Sequence, residues 1–132
     1  MNNSSSKKEI HIGILGAMPE EIGFAITELN NIEKKEFGDL VIYSGKWKGQ
    51  SELKIPTYIS VAWSGWGKVS ASRASTRLIN TIYRDKKIDL IIFTGVAGSI
   101  NPNLNQWDII LPNLLIQHDM DATPIYEKYI IP

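Results

Sequence analysis

Ile88-Asp89-Leu90-Ile91-Ile92-Phe93-Thr94-Gly95-Val96-Ala97-Gly98-Ser99 is the stretch on which the fold turns. An apolar run from Leu90 to Phe93 that runs on into two glycines predicts a strand buried on both faces, with a tight loop at its carboxyl end. Open α/β sheets bind ligands at that edge. Gly95 and Gly98 would let the backbone turn through positive φ and come close to a small molecule, presenting its amides. The same pattern serves a strand that simply turns at glycines, so the loop alone leaves both roles open.

Working outward, Ile10 to Leu15 predicts a first strand, and Gly16-Ala17-Met18-Pro19-Glu20-Glu21 turns it into a helix. Proline suits the first helical position, where its missing N–H would be an orphan anyway. At 100° per residue, Met18, Ile22, Ala25, Ile26 and Leu29 share the face expected to pack on the sheet. Glu21 borders that face and Glu20 points nearly opposite, so only one carboxylate can lean over the sheet's carboxyl edge. Both also suit a helix N-terminus through the helix dipole alone. Lys34 to Lys46 alternates loosely and, with a turn at Lys48-Gly49-Gln50, predicts antiparallel pairing with a partner between Leu53 and Trp63; Pro56 belongs at an edge or a strand start. Thr57 to Trp63 ends in Ser64-Gly65-Trp66-Gly67-Lys68. From Val69 to Tyr83 the chain reads as helix, with Ala71, Ala74, Leu78 and Ile82 on one stripe and Arg73 and Arg77 on the solvated side. Beyond the glycine loop comes a turn-rich connection, then an apolar segment from Trp107 to Gln117 crossed by Pro112.

The composition bounds the function. With 132 residues, the chain predicts a disordered polar tail over residues 1–9 and one α/β domain over residues 10–132. Fourteen basic residues balance fourteen acidic ones, so neither nucleic acid nor a membrane is an expected partner. The apolar run near the start is too short to span a bilayer. The absence of cysteine rules out a thiol nucleophile, a disulfide framework and a zinc–thiolate site. It fits the cytoplasm. His118 beside Asp119 and Asp121 is too small a set for a metal centre, so no metal and no cofactor are expected, and loop hydrogen bonding is the better account of it.

Four separated segments coincide with one pattern. Ile12-Gly13-Ile14-Leu15-Gly16-Ala17-Met18-Pro19-Glu20-Glu21 resembles the opening of the methylthioadenosine/S-adenosylhomocysteine nucleosidases. Ser64-Gly65-Trp66-Gly67-Lys68-Val69 is similar to their S-G-x-G-K-V, Thr94 to Ser99 to their T-G-S-A-G-G, and His118-Asp119-Met120-Asp121 with Thr123 to their H-D-A-D-x-T. The resemblance runs from Ile10 onward but covers only the first half of a family member. It implies a nucleoside phosphorylase-like α/β fold, a mixed sheet flanked by helices, cut off after its first half. It also implies hydrolysis of the N-glycosidic bond of an adenine thionucleoside to adenine and a thioribose, through a transition state resembling an oxocarbenium ion. On this resemblance Glu21 activates water, Ala17 and Met18 line the ribose and water pocket, and Val96, Ala97 and Gly98 lie beside base and sugar. Ile125 and Pro132 would be wall residues of a neighbouring subunit's pocket, in a homodimer or with a complementary fragment.

Related phosphorylases carry an arginine on the central strand where Phe93 stands, and an early G-x-P-x-R loop that this chain lacks. Hydrolysis is therefore expected over phosphorolysis. Val96 replaces the family's serine, removing a hydroxyl worth about 1 kcal/mol or more if a polar partner is left unpaired. The family's adenine-protonating aspartate and ribose-binding Met-Glu pair fall beyond Pro132. An incomplete site is thus expected, either completed by another polypeptide or belonging to a non-catalytic nucleoside-binding or assembly module. Half a mixed sheet also predicts an uncovered apolar edge prone to association.

Overall fold

The computed structural model describes residues 9–49 and 55–130. Residues 1–8 of the expected tail, Gln50 of the expected turn, Leu53 and Pro132 lie outside the described residues. Glu9 is placed: its carboxylate accepts a hydrogen bond from the Tyr58 hydroxyl at 3.0 Å. The described residues fall into two units, divided between Ala97 and Gly98.

The first unit is built on a mixed five-stranded sheet in the order β2-β3-β4-β1-β7. Strand β1 (Ile10–Gly16) leads into α1 (Pro19–Ile22) and α2 (Phe24–Thr27), then β2 (Leu29–Phe37), β3 (Leu40–Trp47), β4 (Thr57–Trp63), α3 (Lys68–Ile79), the short strands β5 (Ile82–Tyr83) and β6 (Lys86–Lys87), and β7 (Leu90–Phe93). β4, β1 and β7 are parallel, whereas β2 pairs antiparallel with β3 and β3 with β4. Alternation along the strands sends Leu15, Leu40, Ile42 and Ala62 to one face, where Ala74 and Leu78 of α3 cover them. Leu29, Ile59 and Val61 face the other way and meet Ile22, Ala25 and Ile26. Gly13 has no side chain where a Cβ would come within 3.1 Å of Leu78, so α3 closes tightly on β1. No helix among the described residues is long and apolar enough to cross a membrane.

Several expectations need correction. Leu90 to Phe93 is not buried on both faces: β7 is an edge strand paired with β1 alone among the described residues, and Phe93 is 61% exposed. An apolar run reports hydrophobicity, not which neighbours reach it. Gly95 and Gly98 do not take positive φ; Gly38, Gly65 and Gly67 do. The helix expected from Met18 to Leu29 is interrupted by a turn at Gly23 and gives way at Leu29 to β2. Lys34 to Lys46 is not one strand: the chain reverses at Gly38-Asp39, with Gly38 at φ 67°, and pairs with itself before β3 pairs with β4. The α3 stripe holds for Ala74 and Leu78, but the helix stops at Ile79. There the Asn80 amide donates to the Thr76 carbonyl (2.7 Å) and the Thr81 hydroxyl to that of Arg77 (3.1 Å), so polar side chains close the last turn and Ile82 falls off the stripe. Arg73 is exposed as expected, yet its guanidinium forks onto Asp39 at 2.6 and 3.0 Å.

The second unit, described over residues 98–130, contains turns but no helix or strand. Trp107, Ile109, Leu111 and Leu115 are exposed. Asp121 accepts hydrogen bonds from the Thr123 amide (3.2 Å) and hydroxyl (2.8 Å).

Leu78 is fully buried between α3 and the sheet, so Leu78→Ala is expected to lower unfolding free energy by about 2–5 kcal/mol in urea titrations. Arg73→Ala, at an exposed ion pair, should change it by no more than about 1 kcal/mol in the same titrations.

Candidate functional site

The parallel strands β4, β1 and β7 end together. The Ser64 N–H donates to the Gly16 carbonyl (2.9 Å), the Gly65 N–H to that of Ala17 (3.0 Å), and the Thr94 N–H to that of Leu15 (2.9 Å). This is the carboxyl edge at which parallel sheets present ligand sites.

Glu21 stands over that edge. It is the third residue of α1, and its carboxylate reaches back to the cap: Oε2 accepts from the Ala17 N–H at 2.7 Å and the Met18 N–H at 3.1 Å. The Met18 contact is half of a capping box, which a glutamate at this helical position commonly makes. Capping does not account for the other oxygen. Oε1 accepts from the Val96 N–H at 3.3 Å, an amide 75 residues away in the loop that follows β7. Glu20, one residue earlier, is exposed, as the helix-face count anticipates.

Two glycines make room for the carboxylate. A Cβ on Gly95 would lie 2.7 Å from Oε1, and one on Gly16 would lie 3.3 Å from Oε2. The glycine loop does permit a close approach, but what approaches Gly95 here is the Glu21 side chain. That role was missed in the sequence, although glycines at two strand ends beside an acidic helix start were its available signal.

The amides hold the charge. Hydrogen bonds from Met18, then Ala17, with Val96 adding to them, keep the Glu21 carboxyl below its ordinary 4.5 against an opposing desolvation effect. A half-buried, ionised carboxylate at a sheet edge can orient a water molecule and take its proton.

Of the residues implied by the resemblance, Glu21, Ala17, Met18 and Val96 are thus brought together. Ala97 follows Val96 and is exposed. Gly98 and Ile125 belong to the second unit; a Cβ on Gly98 would meet nothing within 4 Å, and Ile125 is exposed. His118 Nδ1 lies 3.7 Å from Asp119 Oδ1, and no group of three or more His, Asp or Glu side chains able to hold a metal occurs among the described residues.

A family model described as the phosphorylase superfamily matches residues 11–131. The chain is 39% identical over 122 residues to a 5'-methylthioadenosine/S-adenosylhomocysteine nucleosidase of Buchnera aphidicola subsp. Schizaphis graminum, covering 92% of this chain and 47% of that protein. A crystal structure of the corresponding nucleosidase from Colwellia psychrerythraea 34H in complex with adenine superposes with a TM-score of 0.79 at 27% identity, covering 95% of this chain and 48% of that one. The Neisseria meningitidis nucleosidase in complex with methylthio-immucillin-A gives 0.77 at 28% identity, with 92% and 48% covered. The chain spans about half the length of the curated relatives it matches.

Gly95→Ala should push the carboxylate off Val96: the Val96 amide proton moves upfield in NMR spectra and exchanges faster, while Gly98→Ala leaves it unchanged. Because the folded-state carboxyl of Glu21 titrates below its unfolded value, its stabilisation is present above about pH 4.5 and lost as pH falls through the folded value. Urea titrations at stepped pH should accordingly show a shallower acid limb for Glu21→Gln than for the wild type.

Proposed function

The chain belongs to the phosphorylase superfamily, and from that premise we propose that it supplies the water-activating part of a 5'-methylthioadenosine/S-adenosylhomocysteine nucleosidase. The observation that carries the proposal is the Glu21 carboxylate, ionised and held by amides from two strand ends at the edge where parallel sheets bind ligands. The family match and the nucleosidase relatives support the substrate class.

In the proposed reaction the bond between the ribose anomeric carbon and the purine nitrogen breaks, its electron pair leaving with adenine. Water adds to the anomeric carbon as positive charge develops there, and its proton passes to Glu21. The leaving adenine takes up a proton from an acid for which the resemblance gives no counterpart among residues 10–132. Ala17 and Met18 would border the water and ribose, while Val96, Ala97 and Gly98 would flank sugar and base. Ile125 and Pro132 are assigned to the wall of a neighbouring subunit's pocket. Water is favoured over phosphate because Phe93, an apolar side chain, stands where the resemblance puts a phosphorylase's arginine. A cytoplasmic homodimer, or a pairing with a complementary fragment, working in methionine salvage belongs to the same proposal and rests on the resemblance.

A second reading is a non-catalytic nucleoside-binding or assembly module. Adenine release from methylthioadenosine in phosphate-free buffer separates the two. It is measured for the chain alone and after mixing with a polypeptide covering the part of the Buchnera relative that the chain does not span. The proposal expects turnover in at least one sample, lowered about 10²–10⁴-fold by Glu21→Gln. Turnover in neither, or turnover indifferent to that substitution, overturns it in favour of the module.

A further inference from the structure

At the opposite end of β1 from Glu21, His11 is fully buried with both ring nitrogens engaged. Nδ1 lies 2.9 Å from the Lys86 carbonyl oxygen, which can only accept, so Nδ1 carries the hydrogen. Nε2 is then an acceptor, and the Ser60 hydroxyl, 2.8 Å away, donates to it. The Ser60 oxygen in turn accepts from the Ser44 hydroxyl at 2.6 Å. One directed chain of hydrogen bonds therefore runs from β3 through β4 and β1 to the segment that leads into β7. The backbone doubles the tie: the His11 N–H donates to Asp89 Oδ2 and the Asp89 N–H to the His11 carbonyl, both at 2.8 Å.

We propose that His11 is a pH-sensitive latch that fastens the Lys86–Asp89 segment, and with it the edge strand β7, to the inner strands at neutral pH and releases it on acidification. A proton on Nε2 turns an acceptor into a donor, so the Ser60 hydroxyl must reverse, and that of Ser44 with it. A positive charge then sits where water does not reach. The charged groups around the ring do not cancel it. The hydrogen bond to the Lys86 carbonyl and the Asp89 charge favour the cation, but Asp89 is paired with Lys86 Nζ at 3.0 Å, and the Lys86 and Lys35 ammonium groups oppose it. Tyr58 and Tyr83 present uncharged rings at 6.4 and 6.3 Å. Burial is the largest influence and holds His11 below its ordinary 6.5 in the folded chain. The latch is therefore at full strength above 6.5 and weakens as pH falls from there toward the folded value.

The test uses the intact, isotope-labelled chain and needs no activity. Imidazole nitrogen NMR should find His11 in the Nδ1-protonated neutral form at pH 7.5, titrating below 6.5. Exchange protection of the β7 amides that donate to β1, corrected for intrinsic rates, should fall up to about tenfold per pH unit below 6.5, while the paired amides of β3 stay protected. In His11→Gln, whose side chain does not titrate, that pH dependence should vanish. If His11→Gln does not fold, the wild-type titration alone decides. An Nε2-protonated tautomer, a midpoint at or above 6.5, or β7 protection indifferent to pH overturns the latch.

Discussion

One carboxylate, held by three backbone amides, joins the parts of this chain that matter most to each other. Glu21 takes two of those amides from the turn that ends β1 and the third from the loop that follows β7. An ionised oxygen accepting N–H bonds makes a stronger contact than a neutral one, and it stays ionised because those bonds favour the charged form. Helix start, strand end and charge state therefore stand or fall together. The glycines at positions 16 and 95 are part of the same constraint, since a side chain at either would crowd the carboxylate or its helix.

The edge strand β7 makes this constraint consequential. It is four residues long and pairs with β1 alone among the described residues. Such a strand is weakly held by its ladder, so its placement depends on ties at its ends. At its start, Asp89 and the Lys86 carbonyl bind His11. At its finish, Thr94 binds Leu15 and Val96 binds Glu21. β1 thus carries a clasp at each end, one polar and buried, the other charged and half-exposed. The core between them is ordinary alternation, with α3 on one face and α1 and α2 on the other.

How much of this was legible in the sequence depended on the range of the physics involved. β1, β4 and the start of α1 were readable because short apolar runs, a proline and acidic residues are local signals. The choice of Glu21 over Glu20 followed from 100° helical geometry within one turn. The edge position of β7 was hidden, because Leu90 to Phe93 has the same hydrophobicity whether or not another strand covers it. The reversal at Gly38-Asp39 was absorbed into a loosely alternating segment on both sides. In the sequence His11 is a single polar residue within an apolar run. Its partners Ser44, Ser60 and Lys86 lie on three other segments, and only folding brings them together. Close approach at Gly95 was legible as a property of glycine, but that the approaching group is the Glu21 side chain was not, because the two lie far apart in sequence.

The seating of Glu21 as an anion on amides from two strand ends governs the carboxyl edge of the sheet. It is tested most directly by following the Glu21 carboxyl carbon in NMR spectra of the labelled chain as pH is lowered. The midpoint should lie below 4.5, with the amide protons of Ala17, Met18 and Val96 moving at that same midpoint. A midpoint at or above 4.5, or a Val96 amide that ignores the titration, would contradict it.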